Sequence, residues 1–217
     1  MIFTHCGKFG DMLMCLPILS AWWKKTGEKP GLALAQFPYA KESIELLKLQ
    51  ECIGGVYDIE YWPGECWGGF PYKPLKIVGM GEEFINLGFR AYPDKSLIEF
   101  VAEEHGLDID WGFVLNIGGE DRRFPVDAVV IDRYDRPMLE PAGIRGVYLK
   151  KENGLLMNLR VAAGAAKVFT YATGAAMALG LARIAATVYV TQSDYAYHRD
   201  KVYNRMPWLD LQPLEGF

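Results

Sequence analysis

The sequence predicts an α/β fold made of two Rossmann-like lobes, each with its own parallel sheet. The first 60 residues alternate short apolar runs with amphipathic runs in a β-α-β-α-β order, which is typical of parallel strands joined by right-handed crossovers. A strand, a glycine turn and a helix start also occur twice, at residues 2–13 and at residues 168–181. We therefore expect an N-terminal lobe at residues 1–110, a C-terminal lobe at residues 111–217 and a cleft that both lobes face.

The elements of the first lobe follow from the spacing of its apolar residues. Residues 1–6 form a short apolar run and predict a buried first strand. Apolar residues then recur at helical spacing from Leu13 to Trp23, and Pro17 among them predicts a proline in the first helical turn or a kink. The remaining early elements are predicted strands at residues 32–35 and 56–59 and a predicted helix at residues 41–49.

Two features precede the predicted boundary between the lobes at residues 108–111. Residues 61–74 are rich in Trp, Pro and Gly and predict a long irregular loop. Its aromatic rings suit stacking on a sugar or a base, and they equally suit packing between the lobes. Residues 96–105 predict a helix that begins with a capping box, in which Ser96 is the N-cap and Glu99 its partner.

The second lobe alternates predicted strands and helices, with a polar Gly-Gly loop at residues 118–125. The predicted strands are residues 113–117, 129–131, 147–149, 167–171 and, as the final strand, 187–190. The predicted helices are residues 155–165 and 175–181.

Composition excludes several classes of protein. The chain of 217 residues has a formal net charge of −4, so it lacks the overall positive charge typical of nucleic-acid-binding proteins. No apolar run approaches the roughly 20 residues of a membrane span, and no signal peptide is evident, so we expect a cytoplasmic protein. Cys6, Cys15, Cys52 and Cys66 form no CxxC pair, and the histidines show no zinc spacing. We therefore expect reduced thiols, no metal and no cofactor, and the sequence carries no signal for an oligomeric state.

Asp11 is the first candidate for a functional role. It follows the first strand and the segment Gly7-Lys8-Phe9-Gly10, whose glycines allow the backbone to turn tightly near an acceptor or a phosphate. A helix N-terminus favours the ionised carboxylate by about 0.3–1 kcal/mol, so Asp11 is able to accept a proton from a well-placed hydroxyl. The spacing equally fits a residue that only caps the helix. The GxxG spacing is not GxGxxG and does not favour a dinucleotide site.

Thr173, Gly174 and Ala175 form the second candidate site. They stand where an apolar strand gives way to a helix of small residues. Free N–H groups at such a helix start, together with the Thr173 hydroxyl, suit the binding of a diphosphate. An ordinary helix cap with close packing is the alternative.

Arg122 and Arg123 form a third candidate site after the Gly-Gly turn. Guanidinium groups bind phosphate oxygens well, and in an extended loop only one of two successive side chains need point inward. Surface pairing with the neighbouring Glu120 and Asp121 is the alternative.

Three segments together resemble a known family. The segment GKFGDMLMCLPIL at residues 7–19 is similar to the opening, roughly GDxLxxxPxLxxL, of the family-nine glycosyltransferases, the ADP-heptose:lipopolysaccharide heptosyltransferases. The segment EDRRFP at residues 120–125 resembles their basic loop ending in Lys-x-Trp-Pro. The segment LRVAAGAAKVFTYATG at residues 159–174 resembles their helix-strand-turn ending in Asp-Thr-Gly.

The resemblance implies a GT-B fold with the donor held mainly by the C-terminal lobe. It implies Asp11 as the general base that activates the acceptor hydroxyl, Arg122 on the donor phosphates, and Thr173 and Gly174 at the diphosphate. The implied reaction is an inverting, metal-independent transfer of a sugar from a nucleotide-sugar donor to an acceptor hydroxyl. The acceptor is expected to be a glycan, such as the lipopolysaccharide core, or a hydroxymethylated base in viral DNA.

Two positions depart from the family pattern. Ala172 stands where the family has Asp before Thr-Gly, and Met177 stands where the family has His three residues after that Gly. Both changes remove polar groups on the donor side. They support an alternative hypothesis, in which the chain is a non-catalytic descendant of the glycosyltransferase fold that binds a nucleotide or a protein.

Overall fold

The chain forms two compact units in a computed structural model, Met1–Phe113 and Val114–Phe217. The structure describes residues 1–5, 9–35, 43–60, 76–77, 84–87, 94–119, 126–132 and 137–214. Each unit contains a five-stranded sheet with helices. The predicted boundary, at residues 108–111, lies close to this division.

The first unit is built on the sheet order β4-β3-β2-β1-β5. Its strands are β1 (Ile2–His5), β2 (Gly31–Ala35), β3 (Gly55–Glu60), β4 (Lys76–Ile77) and β5 (Phe84–Asn86). Its helices are α1 (Phe9–Met14), α2 (Leu16–Thr26), α3 (Ile44–Lys48) and α4 (Leu97–Glu104). Strands β1, β2, β3 and β5 pair in parallel, whereas β4 is antiparallel to β3. The predicted β-α-β-α-β order of the first 60 residues is confirmed.

A helix break in the first unit explains the position of Pro17. Helix α1 ends at Met14, Cys15 forms a turn, and α2 begins at Leu16 with Pro17 in its first turn. A proline is tolerated there because the first amides of a helix have no intrahelical acceptor. Phe3 of β1 and Leu16 of α2 are both fully buried, so the strand and the broken helix share one core.

Ser96 is the N-cap residue of α4, as predicted, but its side chain makes no cap hydrogen bond. The half of the predicted capping box that the Ser96 hydroxyl would form is therefore wrong. The Ser96 side chain is buried at 3% exposure. The predicted helix at residues 41–49 is present as α3, and residues 41–42 and the aromatic loop at 61–74 lie outside the described residues.

The second unit has the sheet order β10-β9-β8-β6-β7, and the described pairs are all parallel. Its strands are β6 (Ala128–Ile131), β7 (Val147–Tyr148), β8 (Lys167–Tyr171), β9 (Ala186–Thr191) and β10 (Leu209–Leu214). Its helices are α5 (Leu155–Gly164), α6 (Gly174–Leu181) and the short α7 (Tyr195–Tyr197), which continues as a π-helix at His198–Val202.

Two predictions for the second unit are wrong. Residues 113–117 form no strand, because Leu115 is buried against α6 and donates its N–H to the carbonyl of Leu181 at 2.9 Å. Strand β9 is not the final strand, because β10 follows it and pairs with it along its whole length. Pro213 lies within β10, and an edge strand tolerates a proline because one side of its backbone has no partner strand.

Candidate functional site

The strand order of the second unit reverses at β6. Strand β6 pairs with β7 on one side and with β8 on the other, although β7 and β8 both follow it in the chain. In open parallel sheets, ligands bind outside the carboxyl ends of the strands at such a reversal. The residues that follow the two strands are Asp132 after β6 and Ala172 and Thr173 after β8. The topology therefore selects this edge of the sheet as the candidate ligand site of the second unit.

Thr173 is the N-cap residue of α6. Its hydroxyl oxygen accepts the N–H of Ala175 at 3.3 Å and donates to the carbonyl of Tyr171 at 3.2 Å. The extended backbone of Thr173, with φ of −139°, turns the chain from strand to helix. The hydroxyl proton of Thr173 is therefore already used in a hydrogen bond to the protein backbone. The helix cap, which was the alternative prediction for this site, is present.

The first turn of α6 contains no charged side chain. Its residues are Gly174, Ala175, Ala176 and Met177, and the helix has neither acidic residues in its first turn nor basic residues in its last turn. Helix N-termini attract anions through their amide N–H groups and the helix dipole. No side chain of this turn therefore neutralises the positive potential at the start of α6.

Small residues bring α6 close to its neighbours, as the sequence predicted. A Cβ atom at Gly180 would overlap the sulfur of Met206 and lie 3.0 Å from a methyl group of Leu209. The carbonyl of Gly180 also accepts the indole N–H of Trp208 at 2.7 Å. This packing fixes the axis of α6, and so it fixes the direction in which the first amides of the helix point.

The two departures from the resembled family have different structural settings. Ala172 is half-buried, and its N–H donates to the carbonyl of Tyr189 at 2.9 Å, which ties the end of β8 to β9. Met177 is 3% exposed and belongs to the core of the second unit. Met177 therefore contributes to packing, which accounts for an apolar side chain at that position.

Asp132 is a candidate residue that the sequence analysis missed. Its carboxylate is buried at 8% exposure and accepts the backbone N–H of Leu139 at 2.8 Å and that of Met138 at 3.0 Å. These bonds hold the turn at residues 138–143 beside the end of β6. The sequence offered one signal for this residue, an acidic side chain directly after the predicted strand Val129–Ile131. Only the strand order shows that this strand ends at the candidate ligand site. The carboxylate of Asp132 accepts both of these amide N–H groups and so fixes the backbone at this edge of the sheet.

The first unit has a similar reversal at β1. Strand β1 pairs with β2 on one side and with β5 on the other, and α1 follows β1 in the chain. Asp11 lies in the first turn of α1 and is half-buried. Its backbone carbonyl accepts a hydrogen bond from the Cys15 thiol at 3.4 Å, so Cys15 stays attached to the turn that carries the carboxylate. The structure thus puts Asp11 on the helix that starts at the reversal point of the first sheet.

Several predicted site residues lie outside the described residues. These are Gly7, Lys8, Arg122 and Arg123. Gly10 is described and is the second residue of α1, so it belongs to the helix and not to a turn before it. The Gly-Gly turn before the arginines is present, because Gly118 and Gly119 have φ angles of 71° and 111°, which glycine adopts readily.

The carboxyl end of β9 carries a second polar group of residues. Thr191 donates to the carboxylate of Asp194 at 2.9 Å, and Asp194 precedes the π-helix that contains His198. The His198 ring stacks on Tyr203 with centroids 5.6 Å apart, and its Nδ1 has no hydrogen-bond partner among the described residues. Burial lowers the pKa of His198, and the nearby carboxylate of Asp194 opposes this only in part. His198 is therefore a neutral, stacked histidine at neutral pH.

No group of three or more His, Cys, Asp or Glu side chains in the described part of the chain is arranged to hold a metal ion. None of the described helices has the length and the apolar character that crossing a membrane requires.

Comparison with known proteins identifies the fold. No protein-family model and no curated protein matches the chain. Among solved structures, the chain is similar to the crystal structure of the glycosyl transferase family 9 protein from Veillonella parvula DSM 2008, with a TM-score of 0.63 and 8% sequence identity. The likeness covers 98% of this chain and 85% of the other. It confirms the predicted α/β fold with two parallel sheets, and at this identity it establishes the fold alone.

Proposed function

We propose that the protein is a glycosyltransferase that moves a sugar from a nucleotide-sugar donor to an acceptor hydroxyl. The observation that carries the proposal is the likeness of nearly the whole chain to a glycosyl transferase family 9 structure. Fold alone does not specify activity, so the proposal also depends on Asp11 and on the first turn of α6. Asp11 lies on the helix that follows the reversal strand β1, and α6 follows β8, which pairs with the reversal strand β6.

Asp11 is proposed as the general base. A carboxylate in the first turn of a helix is stabilised in its charged form, and it takes the proton of the acceptor hydroxyl as that oxygen attacks the anomeric carbon of the sugar. The nucleoside diphosphate leaves from the opposite face of the sugar, so a single displacement inverts the anomeric configuration.

The first turn of α6 is proposed as the donor diphosphate site. The amide N–H groups of Gly174, Ala175 and Ala176 begin a helix without acidic residues in its first turn, which suits the charge that develops on the leaving group. Arg122, with Arg123 beside it, is proposed to bind the same phosphates. Because these groups neutralise the leaving charge, the proposed reaction needs no divalent metal ion.

The proposed acceptors are a glycan, such as a lipopolysaccharide core, and a hydroxymethylated base in viral DNA. Both present a hydroxyl group to a base such as Asp11. The proposed location is the cytoplasm, where cysteine thiols stay reduced.

The proposal is tested by donor turnover. Purified protein is incubated with ADP-, UDP-, GDP- and CDP-sugars, with and without candidate acceptors, and the released nucleoside diphosphate is measured. Asp11→Asn keeps the shape of the side chain and removes its basicity, and Asp108→Asn removes an exposed carboxylate of the same unit as a control. We expect turnover with at least one donor, loss of turnover in Asp11→Asn and full turnover in Asp108→Asn. Equal turnover in the wild type and Asp11→Asn would refute the assignment of the base.

The second candidate function is a non-catalytic nucleotide- or protein-binding descendant of the same fold. It is favoured by Met177, whose side chain is buried in the core where the resembled family has a polar residue. Isothermal titration calorimetry against the same donor panel separates the two candidates. Donor binding without turnover under any acceptor supports the non-catalytic function.

A further inference from the structure

Helices α5 and α6 cover one face of the sheet of the second unit. A Cβ atom at Gly180 of α6 would lie 3.0 Å from a methyl group of Leu209 on β10, and α5 packs against both α6 and β6. Neighbouring residues of a strand point to opposite faces, so Asp210 points away from the face of Leu209. We call this other side the open face, and its residues that matter below are Lys167, Phe169, Thr187, Tyr189, Asp210 and Gln212.

The described part of the second unit covers the open face only in part. Right-handed crossovers that advance along a sheet in opposite directions lie on opposite faces, and the connection from β6 to β7 advances against the other crossovers of this sheet. The described part of that connection is a turn at residues 139–143. Leu139 of this turn packs against Val130 and Tyr171. The turn therefore shields β6 and the end of β8, which are only some of the strands of this face.

Strand β9 shows the consequence for burial. It pairs with β8 on one side and with β10 on the other, so it is an interior strand. Interior strands of parallel sheets are normally buried on both faces. The residues of β9 on the helix-covered face are buried, whereas Thr187, Tyr189 and Thr191 are half-buried. The open face therefore leaves side chains of an interior strand accessible.

The strand register groups aromatic and polar side chains on the open face. Thr187 lies opposite Phe169 of β8 and opposite Asp210 of β10, and Tyr189 lies opposite Gln212. The rings of Phe169 and Tyr189 have their centroids 6.5 Å apart at an angle of 39°. The amide of Gln212 donates to the carboxylate of Asp210 at 2.9 Å. Two aromatic rings thus stand beside an amide–carboxylate pair.

These polar groups keep unused hydrogen-bonding capacity. The hydroxyl groups of Thr187 and Tyr189 make no hydrogen bond with any described residue. The carbonyl oxygen of Gln212 and the second carboxylate oxygen of Asp210 are likewise left over from the bond between the two side chains. Burial raises the pKa of Tyr189, and the nearby Asp210 carboxylate raises it further, so the Tyr189 hydroxyl keeps its proton. The face therefore offers both donors and acceptors to a ligand.

The charges of the open face favour a neutral ligand. Among the described strand residues of this face, the charged ones are Lys167 and Asp210, whose charges cancel. A nucleic acid needs several cations to neutralise its phosphates. The core of a protein interface is apolar and poor in charge, whereas Asp210 and Gln212 are the exposed side chains beside the two rings. A sugar ring suits this mixture, because its C–H groups pack on aromatic faces and its hydroxyl groups bind carboxylates and amides.

We propose that the open face is a binding site for a neutral saccharide. The sugar ring packs on Phe169 and Tyr189, and its hydroxyl groups bind Asp210, Gln212 and Thr187. This site lies on the opposite side of the sheet from α6, so it is separate from the proposed diphosphate site. The proposal goes beyond the transferase activity and does not depend on it.

The test is a nuclear magnetic resonance titration of the ¹⁵N-labelled protein with free glucose, galactose, mannose, N-acetylglucosamine and lactose. We expect at least one of them to cause saturable shifts at millimolar concentration in the amide signals of residues 187–189 and 210–212, with smaller changes at residues 174–176. No saturable shift with any of the five, or shifts confined to other parts of the chain, overturns the proposal. No nucleotide is present, so failure of the transferase activity leaves this result unaffected, and failure here leaves the transferase proposal standing.

Substitutions of exposed side chains show whether the proposed contacts bind the sugar. Gln212→Ala and Asp210→Asn should each raise the dissociation constant about three- to tenfold, because each removes hydrogen bonds to the ligand. Glu152→Gln removes an exposed carboxylate before α5, outside the open face, and should match the wild type. Unchanged affinity in both Gln212→Ala and Asp210→Asn overturns the proposal. If one of them fails to fold by circular dichroism, the other decides.

The same spectra reveal a different occupant of the open face. Shifts at residues 187–189 and 210–212 that grow with protein concentration and not with saccharide would show that a second copy of the chain covers this face. That result would also overturn the proposal.

Discussion

Helices α1 and α6 both begin near the strand-order reversal of their own sheet, yet their first turns carry opposite kinds of chemistry. Helix α1 follows β1, at which the order of the first sheet reverses, and α6 follows β8, which pairs with the reversal strand β6 of the second sheet. The first turn of α1 contains the carboxylate of Asp11, whereas the first turn of α6 contains only glycine, alanine and methionine after the Thr173 cap. The positive end of α1 thus has a negative side chain of its own, and the positive end of α6 has none.

The difference shows how one local structure can serve two roles. A helix start that holds its own carboxylate is suited to hold a base in the charged state. A helix start made of small uncharged residues is suited to receive the negative charge of a ligand. We infer that the first unit supplies the base and the second unit supplies the anion site.

The largest expected effect is the loss of transfer in Asp11→Asn. If the carboxylate of α1 is the base, its removal lowers the transfer rate by about 10²–10⁴-fold, which is the usual contribution of a general base. The dissociation constant of the donor, measured by calorimetry, should be unchanged because we propose that the donor binds to the second unit. A rise in that dissociation constant with an unchanged rate would show that α1 contributes to donor binding.

A smaller effect is expected in Thr173→Ala. The hydroxyl of Thr173 caps α6 through Ala175, so its loss should lower the free energy of unfolding by about 1 kcal/mol in urea denaturation. Thr173→Ser keeps the hydroxyl and should retain most of that stability. A tenfold weaker donor affinity in Thr173→Ala, about 1.4 kcal/mol, with unchanged stability would instead identify the hydroxyl as a phosphate ligand.

The two units should also lose stability in different pH ranges. Burial lowers the pKa of His198 below 6.5. The contribution of His198 to the free energy of unfolding is therefore present above pH 6.5 and is lost as the pH falls through the lowered pKa. At Asp110 burial opposes the charge, but hydrogen bonds from Lys24 and Ser20 outweigh it and lower the pKa below 3.8. The contribution of Asp110 to the free energy of unfolding is therefore present above pH 3.8 and is lost only as the pH falls through the lowered pKa of Asp110.

Stability measured against pH can separate these two contributions. Urea denaturation between pH 7 and pH 4 should show a loss of stability that is smaller in His198→Phe, which keeps an aromatic ring against Tyr203 and cannot be protonated. Asp110→Asn should leave that part of the profile unchanged. An identical profile for the wild type and His198→Phe would show that His198 does not titrate in this range.

The smallest expected effect is that of metal removal. The proposed site neutralises the leaving phosphate with amide and guanidinium groups, so excess EDTA should leave the transfer rate unchanged. A rate that falls with EDTA and recovers with Mg²⁺ would mean that the start of α6 binds the donor together with a metal ion.

Much of the fold could be predicted from local sequence. Strands β1, β2 and β8 are apolar runs bounded by turn residues, and the structure confirms them along with helix α6. Strand β10 was not predicted. It contains Pro213, which is unfavourable inside a central strand, and the position of β10 at the sheet edge makes the proline acceptable. The run at residues 113–117 looks like a buried strand, but its apolar residue Leu115 is buried by α6 instead of by strand pairing.

The candidate site was less accessible to sequence reasoning. Asp11 and Thr173 could be found because each stands next to a recognisable helix start. Asp132 required the strand order, which places the end of β6 beside the end of β8. The hydrogen bonds of Asp110 with Ser20 and Lys24 join positions about 90 residues apart in the chain, and no local pattern indicates them.

The contrast between the two helix starts is tested most directly by a nuclear magnetic resonance titration of the ¹⁵N-labelled protein with nucleoside diphosphates. We expect saturable shifts of the amide signals of Gly174, Ala175 and Ala176, with smaller changes in α1, and the same shifts in Asp11→Asn. Saturable shifts that are largest in α1, or no shift at the start of α6 with any of ADP, UDP, GDP and CDP, would contradict the proposed anion site.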